Sequence, residues 1–89
     1  MQKTMKLKVY ADPGHAWAAI KRDKLVKLGI ADKITSYSYQ RGDMVYLEED
    51  CDLSTLMHAV RLAGIALSFD EHHTNNRSRI RGYEHYRVQ

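Results

Sequence analysis

Three arginines at alternate positions, Arg77, Arg79 and Arg81, form the spacing in this sequence with the plainest chemical use. On a strand they project from one face about 7 Å apart, the interval of successive phosphates along a nucleic-acid strand. Guanidinium binds phosphate through two parallel hydrogen bonds. Tyr37 and Tyr39 repeat the two-residue spacing, with Arg41 in the same phase. Rings beside arginines on a sheet are what single-stranded RNA or DNA binding requires. Two structural alternatives compete with that reading. In one the tyrosines face a core and leave Ser36 and Ser38 outside; in the other the arginines are solvated or pair with Glu48, Glu49 and Asp50.

The run Glu48-Glu49-Asp50-Cys51-Asp52 gathers four carboxylates and the chain's one thiol. Hard divalent cations take such oxygens, but the glycine-punctuated spacing of a calcium loop is missing. Carboxylates just before a helix stabilise its N-terminus without a ligand. No metal and no cofactor are therefore expected, and Glu48, Glu49 and Asp50 are read as an acidic patch open to a basic partner. His72 and His73 beside Asp70 and Glu71, with His15 and His85 elsewhere, suggest a small metal-dependent enzyme as an alternative. Against it, no His-Glu-x-x-His or paired Cys/His spacing is present. A carboxylate-rich setting disfavours the Cys51 thiolate, and no nucleophile elbow, phosphate loop or dinucleotide fingerprint appears. No catalytic residue is predicted. The turn Asp12-Pro13-Gly14-His15-Ala16-Trp17 is either a binding tip or a hairpin whose Trp17 anchors the core, and the second is adopted.

The elements that must position these residues follow from periodicity and turn chemistry. Met5, Leu7 and Val9 alternate, predicting a half-buried strand over 6–10. Ala11-Asp12-Pro13-Gly14 is a turn, and 15–21 a second strand despite its alanines. Asp23 is read as the N-cap of a short helix over 24–28, with Leu25, Val26 and Leu28 inward and Gly29 stopping it. A hairpin spans 34–48: the β-favouring run 35–39, the turn Arg41-Gly42-Asp43 and the return 44–47. Asp52 is expected to cap a helix over 53–63, with Leu53, Leu56, Met57, Val60 and Ala63 as its core stripe and Gly64 beyond. Ile65, Leu67 and Phe69 mark a strand, 72–76 a polar loop, 77–81 a last strand and 83–89 a tail. The sum is one α+β domain over 1–89, approximately ββαββαββ, an antiparallel or mixed sheet with two helices on one face.

Size and charge narrow the function. At 89 residues, with 44% hydrophobic and 28% charged side chains, the chain has the composition of a soluble globular domain. Such a domain has little room for both a core and a deep catalytic cleft, so binding is favoured over catalysis. Nine cationic side chains face three carboxylates over residues 1–42, one faces seven over 43–71, and four face one over 72–89. That asymmetry predicts faces of opposite sign, unless the segments pair with one another on folding. No run of about 18 apolar residues exists, and residues 1–6 carry no signal-peptide core, so no membrane is expected as a partner. A lone cysteine excludes an internal disulfide and fits a cytoplasmic location in a bacterial host cell.

Four stretches resemble small uncharacterised proteins encoded by bacteriophages, prophages and plasmids. They are Tyr10-Ala11-Asp12-Pro13-Gly14-His15-Ala16-Trp17, Leu28-Gly29-Ile30-Ala31-Asp32-Lys33-Ile34-Thr35-Ser36-Tyr37-Ser38-Tyr39, Tyr46-Leu47-Glu48-Glu49-Asp50-Cys51-Asp52 and Arg77-Ser78-Arg79-Ile80-Arg81-Gly82-Tyr83. The resemblance implies a setting rather than an activity: an accessory protein that binds host machinery, including inhibitors of CRISPR or restriction defence. The leading expectation is thus a non-enzymatic mobile-element protein that binds a host protein or nucleoprotein complex. Direct RNA or single-stranded DNA binding through Tyr37, Tyr39, Arg41, Arg77, Arg79 and Arg81 is the alternative. A sheet edge left open would allow a homodimer.

Overall fold

The computed structural model describes residues 3–88, so the extreme ends of the predicted 1–89 domain, including the last residue of its tail, lie outside the described residues. In chain order come β1 (Lys3–Ala11), β2 (Ala16–Lys21), α1 (Arg22–Lys27), β3 (Tyr39–Arg41), β4 (Met44–Glu48), α2 (Asp52–Leu62), β5 (Ile65–His73) and β6 (Glu84–His85). Short 3₁₀ turns occupy Ala31–Lys33 and Arg79–Gly82. This is a small α+β domain with the ββαββαββ order, built on a six-stranded mixed sheet.

The strands lie in the order β5-β1-β2-β4-β3-β6. β1 and β5 are parallel, and every other pair is antiparallel. A parallel partner cannot be reached by a tight turn, so α2 carries the chain from β4 across to the far edge. Alternation does the rest. Leu7 and Val9 of β1, Ala18 and Ile20 of β2, and Val45 and Leu47 of β4 share one face, where Leu25 of α1 and Leu56 and Val60 of α2 cover them. β2 lies between β1 and β4 and is buried on both faces along Ala16–Ile20, which suits its three alanines. Gly29 and Gly64 end α1 and α2 at φ of 74° and 72°, a left-handed backbone that glycine adopts without penalty.

Several local expectations are corrected. Asp23 lies inside the first turn of α1; the N-cap position belongs to Lys21, whose side chain makes no cap. Val26 is 60% exposed, whereas Leu25 is fully buried. The first strand of the hairpin is β3, and Thr35, Ser36 and Tyr37 lie before it in a turn. Asp52 caps nothing in its own helix. It is 1% exposed and accepts hydrogen bonds from the Thr35 backbone N–H at 3.0 Å, the Thr35 hydroxyl at 2.8 Å and the Ser38 hydroxyl, so it holds the 35–38 turn against α2. The buried stripe of α2 is Asp52, Leu56 and Val60, a single i, i+4, i+8 row, which leaves Met57 and Ala63 exposed. His72 and His73 end β5 rather than forming a loop. Residues 77–81 are not a strand. Ser78 accepts the Ile80 N–H at 3.2 Å and starts the 3₁₀ turn, whose Ile80 is buried. The tail supplies β6, and Tyr86 beyond it is buried, with its hydroxyl donating to the Ala31 carbonyl.

Candidate binding surface

The sheet face opposite the helices is built by the other phase of the same strands. β1 presents Lys6, Lys8 and Tyr10 there, β2 Trp17, Ala19 and Lys21, and β4 Met44, Tyr46 and Glu48. β3 adds Tyr39 and Arg41, β6 His85, and β5 His72 opposite Tyr10. The register brings their rings into two chains. In the first, His72 stacks on Tyr10 at 5.4 Å, Tyr10 lies 6.5 Å from Tyr46, and Tyr46 lies 5.2 Å from Tyr83. In the second, His15 lies 6.1 Å from Trp17, the Trp17 and Tyr39 rings meet edge to face at 6.2 Å, and Tyr39 stacks on His85 at 4.8 Å. Burial, with Tyr83 and Tyr10 close by, raises the Tyr46 hydroxyl above the ordinary tyrosine range, so this ring is neutral at physiological pH.

One carboxylate fastens the chain end to this face. Asp12 Oδ1 accepts the backbone N–H of Gly14 at 3.0 Å and of His15 at 2.9 Å, shaping the β1–β2 turn. Its Oδ2 accepts the Ser78 N–H at 3.0 Å and Arg81 Nε at 2.6 Å, and Arg81 Nη2 reaches Oδ1 at 2.9 Å. The Arg81 guanidinium, followed by the Ser78 amide, holds the Asp12 carboxyl far below the usual carboxylate range, and Asp12 in turn raises Arg81. Arg81 then lies over the Trp17 ring at 5.3 Å, which leaves Trp17 2% exposed, an anchor rather than a binding tip.

The predicted arginine ladder therefore does not form, because the 3₁₀ turn spends Arg81 on Asp12. Arg77 and Arg79 remain exposed and line a cavity of about 680 Å³ with Tyr10, His72 and Tyr83, at the rim of the aromatic face. Arg41 lies over the Tyr83 ring at 5.1 Å and donates to its hydroxyl at 3.2 Å. Tyr37 is 71% exposed and Tyr39 faces the open side, while Ser38 is fully buried, so the core placement of the tyrosines is excluded. Tyr37, Tyr39, Arg81, Glu48 and Asp50 do meet, with His15, Trp17, Cys51 and His85, around a cavity of about 380 Å³. Glu49 stays outside it, exposed.

The two ends of the open face differ in sign. At the Lys8 end, Lys6, Lys8, Lys21 and Lys24 line an open groove of about 650 Å³ with Tyr10 and Tyr46. At the Trp17 end stand Glu48 and Asp50. Histidine chemistry also moves from where it was expected. Among the described residues, the one grouping with metal-ligand spacing is His15, Glu48 and Asp50, not His72 and His73, which point to opposite faces of β5. His72 instead contacts Asp70 at 3.2 Å. Lys6, Lys8, Tyr10 and Tyr46 carry no motif in the sequence; they only alternate with Leu7, Val9, Val45 and Leu47.

Comparison with protein-family models, with curated proteins and with solved structures finds no match in any of the three. Fold and surface together define the chain as a small α+β sheet domain, helices on one face, with an aromatic and largely basic second face left open. Among the described residues no helix is long and apolar enough to cross a membrane.

Proposed function

We propose that this chain is a non-enzymatic binding protein whose helix-free sheet face takes single-stranded nucleic acid. One observation carries the reading: Tyr10 and Tyr46 are partly exposed on the same face as Lys6, Lys8, Lys21 and Arg41. Tyrosines supply stacking platforms that any base can use, and the cations neutralise phosphates on either side. Arg77 and Arg79 extend the positive rim past Tyr83. The resemblance to proteins of phages, prophages and plasmids supports a setting, an accessory factor acting on a host nucleoprotein complex, as inhibitors of CRISPR or restriction defence do.

Fluorescence anisotropy with labelled single-stranded RNA and DNA, across a salt series, tests this reading. Affinity is expected to fall steeply with salt, by a log–log slope of about 0.7 per neutralised phosphate. Lys8→Ala lowers that slope by about one contact's worth without altering base preference. Absence of binding at low salt eliminates the reading. A second reading, direct capture of a basic protein partner, is favoured by Glu49 and Asp50, exposed where the acidic end meets solvent. A pull-down split into nuclease-treated and untreated halves separates the two, since only a direct protein partner survives digestion.

A further inference from the structure

We propose that His15, Glu48 and Asp50 form a binding site for one first-row transition-metal ion, of the zinc or cobalt type, at the acidic end of the open face. The inference is independent of the nucleic-acid reading. One ring nitrogen of His15 and one carboxylate oxygen each of Glu48 and Asp50 lie within 4.8 Å of one another, and His15 Nδ1 stands 3.3 Å from Glu48 Oε1. Ligands that share an ion at bonds near 2.1 Å stand roughly 3–4 Å apart, so an ion would draw the exposed Asp50 side chain toward the other two donors.

The three donors come from two segments that are each held in place. Asp12 fixes the backbone of His15 through the turn hydrogen bond at 2.9 Å. The Asp50 N–H donates to Glu48 Oε2 at 2.9 Å, and the Glu49 N–H donates to the Ala16 carbonyl at 3.0 Å, tying the end of β4 to β2.

Electrostatics gives an independent reason. The Glu48 side chain is only 12% exposed, and among the described ion pairs neither it nor Asp50 has a lysine or arginine partner. Arg81 lines the same cavity, but its guanidinium is committed to Asp12. A largely buried carboxylate is ordinarily paired or coordinates a metal; Glu48 has only His15 beside it among the described ion pairs, and the exposed Asp50 carboxylate converging on it adds negative charge that a divalent cation satisfies. One imidazole with two carboxylates suits zinc or cobalt better than calcium or magnesium, which prefer oxygen alone. Further coordination positions face the cavity of about 380 Å³, which has room for water or for an oxygen of a bound partner.

Trp17, the chain's one tryptophan, reports on the site directly, because its ring centroid lies 6.1 Å from that of His15. Tag-free, metal-stripped protein is titrated with Co²⁺ while Trp17 fluorescence is followed, and then with Zn²⁺ as competitor. Saturable quenching at one ion per chain is expected, reversed by Zn²⁺ and not by Mg²⁺. His15→Ala and Asp50→Asn each weaken it by about tenfold or more. His58→Ala, exposed on α2 and lining a different groove, leaves it unchanged. Circular dichroism melts verify that all three variants are folded. Quenching that never saturates, that persists equally in His15→Ala and Asp50→Asn, or that is lost as readily in His58→Ala overturns the proposal.

Discussion

The two faces of one sheet are made by neighbouring residues and differ in chemistry. Leu47 is fully buried beneath the helices, and Tyr46, one residue earlier on β4, lies on the open side among Tyr10, Tyr39 and Tyr83. The helix face is aliphatic and closed; the other is aromatic, cationic at one end and acidic at the other. A sheet with a core on one side only ordinarily alternates hydrophobic inside with polar outside. Tyr10 and Tyr46, partly exposed beside Lys6, Lys8 and Lys21, are the observation on which the proposed binding role of the open face rests.

The sharpest division comes from that neighbouring pair. Leu47→Ala leaves a cavity under α2 and costs about 2–5 kcal/mol in denaturant unfolding, with nucleic-acid affinity per folded molecule unchanged. Tyr46→Ala reverses the pattern, removing about 1–3 kcal/mol of binding while its stability loss stays below that of Leu47→Ala. If both variants lost binding and stability together, the two faces would not be separable.

Asp12 sharpens the comparison by pH. Its carboxyl is held well below its ordinary value by Arg81 and Ser78. A depressed carboxylate contributes stability that is fully present above the unfolded value, near pH 4, and is lost as pH falls from there toward the folded value. Thermal melts of the native chain should thus decline below about pH 4, and Asp12→Asn should begin less stable and decline less steeply. Equal slopes in the two proteins would show that Asp12 is not the fastening of residues 78–82 to the open face.

The smallest effect is expected at Gly14. A Cβ there would stand 2.8 Å from Arg81 Nη2, so Gly14→Ala must displace the guanidinium from Asp12 or shift the turn. A modest fall in melting temperature and a change in Trp17 fluorescence, as Arg81 moves off the ring, are the readouts. An unchanged Trp17 spectrum would mean that the guanidinium had yielded without leaving the ring.

Much of the fold was legible from local pattern. Met5, Leu7 and Val9 gave β1, the turn at Asp12 and Pro13 gave a second strand, and the glycines at 29 and 64 gave the helix ends. What escaped was long-range. Arg77, Arg79 and Arg81 have strand spacing, but burial of Ile80, the Ser78 cap and capture of Arg81 by Asp12 outweigh that preference. Asp52 looks like a helix cap in sequence, and only the fold brings Thr35 and Ser38 to it. Of the candidate site, Tyr39, Arg41, Arg77 and Arg79 do reach the open face or its rim. Lys6, Lys8, Tyr10 and Tyr46 were hidden by the fact that a binding face and a solvated face share one alternation.

The most direct test follows side-chain resonances of the protein as single-stranded nucleic acid is added. The tyrosine ring signals of Tyr10, Tyr46 and Tyr83 should shift together and saturably, while the methyl signals of Leu56 and Val60 beneath α2 stay in place. Shifts confined to the helix side, or tyrosine rings unmoved at low salt, would contradict the assignment of the open face as the binding surface.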